Sequence, residues 1–170
     1  VMIMLPGLAL FYGGLVRRKN VLSTIMHSFF GLAIVSIVWV MIGFSLAFAP
    51  DANILGIPGL VGGLEFAGFM NVGLTVNETY GAAAGVPFVL FASFQLMFAA
   101  TTPALITGAF AERFKFSTFL VFTLLWALLV YNPVAHWVWG IGGWIRNLGA
   151  LLVRGVAPRD HVMPEGIAPT

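Results

Sequence analysis

The side chains best suited to chemistry in this chain are neutral or aromatic, and they lie in apolar surroundings. Phe94-Gln95 is followed by Phe98 and then by Thr101-Thr102-Pro103. Phe94 and Phe98 are four residues apart, so on a helix they share one face. Spacing alone fits lipid-facing or core packing as well as it fits a gate. Gln95 carries a neutral amide that needs partners for both of its ends at membrane depth, whether it binds a solute or joins helices. Pro103 removes one backbone hydrogen bond, and Thr101 and Thr102 can satisfy the freed carbonyls. His27 stands in another apolar tract, as an interfacial histidine or as part of a transport path. Tyr131-Asn132-Pro133-Val134-Ala135-His136-Trp137-Val138-Trp139-Gly140 closes a third tract, with Trp144 just behind. Tryptophans gather at membrane interfaces, and a tryptophan face also attracts a partly desolvated cation. The spacing of Trp137, Trp139 and Trp144 fits both an aromatic belt and the wall of a cation site.

Several chemistries are missing. The chain has no cysteine, which removes disulfides, thiol nucleophiles and thiolate metal sites. No phosphate loop of the GxxxxGK[ST] kind, no HExxH and no Gly-x-Ser-x-Gly occurs. The three histidines, His27, His136 and His161, are scattered, so neither a metal centre nor a catalytic set is expected, and no cofactor is implied. No carboxylate lies inside an apolar tract to serve a proton relay. Small residues, buried amides and aromatics at one mouth are the parts of a conduit for something small and weakly charged.

The elements that must position these residues follow from where the charges fall. Of 170 residues, 60% are apolar and only 8% charged, against about 25% charged in an ordinary soluble domain. A water-soluble globule is excluded, and the few cations form no patch that could track a nucleic-acid backbone. Charge-free tracts cover 31 residues from Asn20 to Pro50, 33 from Thr79 to Ala111 and 30 from Phe116 to Ile145. A helix crosses the hydrocarbon with about 20 residues, so each tract holds one span. Val1 to Val16 is also uncharged but has no basic leader and no cleavage site, unlike a signal peptide. It reads as the C-terminal part of a span that the chain enters midway.

An all-α integral membrane protein follows, with spans at about 1–16, 22–48, 86–110 and 117–131. Residues 17–20 and 112–115 are short basic turns, whereas the loop from 51 to 78 contains Asp51, Glu65 and Glu78 but no Lys or Arg. The positive-inside rule makes both basic turns cytoplasmic and the acidic loop external. Alternation of four spans agrees with charge at every connection. Glycines in Pro58-Gly59-Leu60-Val61-Gly62-Gly63 argue against helix there, and Phe66 and Phe69 argue against a freely solvated linker, so the loop is expected to pack on the outer mouth. Asn77-Glu78-Thr79 matches a glycosylation sequon, a weak three-residue signal. Gly31, Gly43, Ala84 and Gly85 are expected to offer small-residue faces to helices from outside the four spans.

Longer motifs carry a resemblance. Pro6-Gly7-Leu8-Ala9-Leu10-Phe11-Tyr12-Gly13-Gly14-Leu15-Val16-Arg17-Arg18-Lys19-Asn20 strongly resembles the first-span signature of the ammonium transporter family (Amt/Mep/Rh). Phe94-Gln95 through Thr101-Thr102-Pro103 and Gly108-Ala109-Phe110-Ala111-Glu112-Arg113 resemble its third span and following turn. Pro133 to Trp144 resembles the segment after its fourth. The match runs in order over residues 1–151. It implies a homotrimer of eleven-span subunits in a lipid bilayer, each with its own pore built from two inverted halves, moving ammonium or ammonia across the cytoplasmic membrane.

The resemblance also assigns roles. Trp139 matches the tryptophan walling an outer ammonium site, and Phe98 the phenylalanine completing that wall. Phe94 with Phe98 would form a stacked gate, and Gln95 would stand near the point where the cation loses its proton. A cytosolic PII-type regulatory protein is the implied partner. A sensor on the same scaffold, or an inactive truncated fragment, is the alternative reading. Past Leu151 the likeness fails. Leu152 stands where the family has an aspartate, and Arg154 and Arg159 interrupt what should be the apolar start of a fifth span. His161-Val162-Met163 resembles the family's histidine segment one residue late. Residues 152–170 are therefore a divergent tail, either authentic or the product of a reading frame disrupted after residue 151 and partly restored near His161.

Overall fold

A computed structural model of the chain describes residues 1–52, 57–80 and 85–149. Helices α1 (Met4–Leu15), α2 (Val21–Val38), α3 (Phe44–Phe48), α4 (Phe88–Phe110), α5 (Phe116–Trp126) and α6 (Asn132–Trp139) account for most of them. Among the described residues there is no strand, only isolated bridges at Asp51–Gly62 and Val76–Pro87. A π-turn at Trp39–Gly43 joins α2 to α3, and another at Ala127–Tyr131 joins α5 to α6. Helical structure thus runs unbroken over Arg18–Phe48, 31 residues, while α4 holds 23. At about 1.5 Å per residue both exceed the roughly 30 Å of a bilayer core. Together with Phe116–Gly149 they are, among the described residues, the three stretches long and apolar enough to cross. Helix α1 is apolar too, but its 12 residues reach only about 18 Å.

The fourth span was expected to end at 131, yet α6 carries the helix on to Trp139. Pro133 does not end the helix. It sits in the first turn after the π-turn, where the wider backbone leaves no i−4 carbonyl that needs a proline N–H. Pro103 is accommodated differently inside α4. Thr101 Oγ1 donates to the Met97 carbonyl and Thr102 Oγ1 to that of Phe98, each at 2.7 Å. These carbonyls precede the one at Ala99 that Pro103 leaves without a partner.

Helix α2 lies centrally, packed against α1, α4 and α5, while α3 packs on α6. The buried core is concentrated at the end where the 57–80 segment packs. Trp39, Phe44, Phe48, Tyr80 and Phe88 are almost fully enclosed, and Trp39 Nε1 donates to the Ala92 carbonyl at 3.2 Å. Gly31 and Gly43 do not wait for external helices, because α5 and α6 already use them. The Phe119 ring lies 3.4 Å from where a Gly31 Cβ would be, and the Asn132 amide lies 3.2 Å from the same point on Gly43. Gly85 has open space around it, and Ala84 lies outside the described residues.

The loop expected to be external packs on the ends of α3 and α6. Gly62 N donates to the Leu46 carbonyl at 2.8 Å, Ser45 Oγ donates to Gly63 O at 2.8 Å, and Trp137 Nε1 donates to Leu60 O at 2.8 Å. Asn77 closes a tight turn, its Oδ1 accepting from the N–H groups of Thr79 and Tyr80 at 2.9 and 3.0 Å. Phe66 and Phe69 meet the Phe44 ring at 5.8 and 5.6 Å.

At the opposite end, α1 is tied to α4. Tyr12 OH donates to Leu105 O at 2.9 Å, over the small surface of Gly108. Glu112 holds a left-handed backbone (φ 66°), uncommon for a residue with a side chain. Its Oε1 accepts from Arg17 N–H at 2.8 Å and from Asn20 Nδ2 at 3.0 Å. Those bonds hold its carboxyl below the usual carboxylate range, and they join the two basic turns.

Candidate functional site

Two of the four expected site residues meet in one cleft beside the outer end of α6. It encloses about 310 Å³ and is lined by Tyr80, Phe91, Gln95, Trp139 and Arg146 among others. Trp139 is the last residue of α6 and leaves 54% of its surface exposed. The turn beyond it begins at Gly140, whose N–H caps the helix on the His136 carbonyl at 2.9 Å. Gln95 comes from α4, one turn inside the edge of the aromatic core, and makes no hydrogen bond to the described residues. Its expected pairing is therefore not made within this part of the chain, and its amide is left to the cleft.

Phe94 and Phe98 do share a face of α4, with centroids 5.0 Å apart. Their rings meet at 80°, edge to face rather than stacked, the arrangement that aromatic quadrupoles favour. Both are exposed, at 53% and 41%, and neither lines the cleft that holds Trp139 and Gln95. The structure therefore brings together Trp139 with Gln95, and Phe94 with Phe98, as two separate pairs.

Two residues of the cleft escaped the reading of the sequence. Tyr80 comes from the outer loop. Its hydroxyl donates to Phe48 O at 2.9 Å and accepts from Ile141 N–H at 3.1 Å, so it bridges the end of α3 to the turn after α6. Burial pushes its phenol above the usual value, opposed by the Ile141 bond and the Arg146 charge, and it stays neutral at physiological pH. Arg146 donates from Nη1 to the Trp139 carbonyl at 2.9 Å. The signal for Arg146 was present, since residues 116–145 hold no charge and it is the first cation after them. Nothing local marked Tyr80.

The tryptophans divide as well. Trp137 is an anchor for the outer loop through Leu60, with its ring 5.9 Å from that of Trp144. Only Trp139 among the three lines the cleft. His27 is satisfied locally, its Nδ1 lying 2.6 Å from the Ser23 carbonyl and its ring edge-on to Phe116 and Phe119. It borders a smaller polar cavity of about 130 Å³ between α2 and α4, near Glu112. No group of His, Asp or Glu able to hold a metal ion occurs among the described residues. His161 and the divergent tail 152–170 lie outside them.

The arrangement suits recognition without bond-making: an aromatic face and an amide without a hydrogen bond to the described residues, with no carboxylate in the described lining. Comparison with known proteins gives this cleft its context. An ammonium transporter of Bacillus subtilis is 58% identical over 151 residues, covering 89% of this chain and 35% of its own length. A putative ammonium transporter of Methanothermobacter thermautotrophicus is 46% identical over 149 residues, covering 88% and 34%. The crystal structure of Saccharomyces cerevisiae Mep2 superposes with a TM-score of 0.72 at 39% identity, over 86% of this chain and 32% of that one. The chain thus spans about a third of the length of the relatives it matches. With the family model described as Ammonium Transporter Family matching residues 1–161, this membrane chain belongs to the ammonium transporter family.

Proposed function

We propose that the protein built from this chain moves ammonium across the cell membrane and that the cleft at the end of α6 is where the cation is first held. The half-exposed Trp139 ring carries this reading. An aromatic face prefers a desolvated cation to a neutral solute, and here it closes an apolar helix beside the free amide of Gln95. The Phe94–Phe98 pair on α4, which lies outside the lining of this cleft, gates the path beyond it. An ion that keeps its charge in such surroundings pays several kcal/mol or more, so ammonium must give up its proton or be exceptionally well paired. The names of the relatives support the substrate. The complete protein in liposomes is expected to pass a saturable ammonium-dependent current. Flux no higher than that of bare lipid would sink the proposal.

The same reading places residues 17–20 and 112–115 in the cytoplasm and the loop from 51 to 78 outside. It makes the complete protein a homotrimer, with a PII-type regulatory protein meeting its inner face. Lys19 and Leu74 are both exposed and suit single-cysteine labelling in a background free of other cysteines. An impermeant thiol reagent added outside should modify position 74 and spare position 19. Modification of 19 alone would invert the topology.

A further inference from the structure

Arg146 is oddly placed for a cleft that takes a cation. The outer loop 51–78 contains three carboxylates and no Lys or Arg, so a basic residue is not a general feature of this face. The guanidinium donates to the carbonyl of Trp139 at 2.9 Å, at the C-terminal end of α6, where unpaired carbonyls carry partial negative charge. Its side chain lines the same cleft as the Trp139 ring and Gln95. A residue serving only as a helix cap could point away from the site, and this one does not.

We propose that Arg146 sets the affinity of the outer cleft, fixing the last turn of α6 beneath the Trp139 ring while its charge opposes the cation that the ring attracts. A conduit needs binding strong enough to select and weak enough to release. An aromatic wall with a fixed guanidinium beside it supplies both terms. The inference rests on the reading that Trp139 faces ammonium, and the test separates the two.

Concentration-dependent ammonium currents of the complete protein read apparent KM for Arg146→Gln, which keeps a hydrogen-bond donor, and Arg146→Glu, which reverses the charge. Removing one exposed charge within a few ångströms of the cation should lower KM about threefold, and reversing it should lower KM about tenfold. A purely structural cap gives a different pattern: Arg146→Glu, which has no donor for the Trp139 carbonyl, would loosen the end of α6 and raise KM, while Arg146→Gln would leave it unchanged. Added inert salt screens exposed charges, those of the loop carboxylates as well as that of Arg146, so the difference in KM between the unaltered protein and Arg146→Gln should shrink as salt is added. Unchanged or raised KM in both variants, with Trp139→Leu still weakening recognition, overturns the role of Arg146 alone. If Trp139→Leu also leaves KM unchanged, the recognition reading itself fails.

Discussion

Trp139→Leu in the complete protein is expected to weaken the apparent affinity for ammonium about 5- to 30-fold, since a partly desolvated cation–π contact is worth ~1–2 kcal/mol. Leucine keeps apolar bulk and removes the ring quadrupole, so folding and membrane abundance should persist. The ring is half exposed and makes no ring contact or side-chain hydrogen bond among the described residues, so the substitution is local there. Trp137 is two residues away and points elsewhere, but it is no neutral control. Losing its 2.8 Å bond to Leu60 O would release the outer loop and cost about 1 kcal/mol. Trp144 is the better comparison, being exposed and outside the cleft lining. Its leucine variant should keep the affinity of the unaltered protein. Equal losses at Trp139 and Trp144 would indicate a general aromatic belt and remove the specific site.

The fold was legible where the sequence carries strong one-dimensional signals. Charge-free tracts bounded by basic turns forecast the helices α2–α3 and α4 to within a residue or two, because burying a charge in hydrocarbon is costly regardless of tertiary detail. The packed outer loop was legible for a similar reason, since Phe66 and Phe69 beside several glycines cannot be left solvated. What failed depended on contacts between distant segments. The π-turns face each other across Gly43 and Asn132, and no local propensity announces such a turn. Without it, the fourth span was expected to end at 131, whereas the helix continues to Trp139. At the site, family motifs pointed to Trp139 and Gln95, which do share a cleft. The spacing of Phe94 and Phe98 fixed a common face, but the stacking implied by the resemblance did not follow, because neither fixes the angle between the rings. Tyr80 was invisible because its position depends on Phe48 and Ile141, 32 and 61 residues away in sequence.

A large loss of stability is expected from one methyl group, in Gly62→Ala. A Cβ at Gly62 would stand 2.6 Å from Ser45 O, 2.7 Å from Ala49 O and 3.0 Å from Leu46 O. All three are backbone carbonyls at the end of α3, so no side chain can rotate aside, and the loop must lift instead. Lifting stretches Gly62 N–Leu46 O and Gly63 N–Pro50 O, both 2.8 Å, and Ser45 Oγ–Gly63 O at 2.8 Å. The terminal carbonyls of α3 would then face an apolar mouth without donors. Overpacking and orphaned carbonyls together cost ~3 kcal/mol or more, enough to open the loop while the helices stay in place. Gly63→Ala is the matched control, since its added methyl would meet only Pro50 O at 3.5 Å, an ordinary contact. Thermal unfolding in detergent, with limited proteolysis of the 57–80 segment, should show a lower Tm and rapid cleavage for Gly62→Ala alone. Equal Tm and equal protection in the two variants would mean that the loop does not rest on the end of α3, and that the mouth is built some other way.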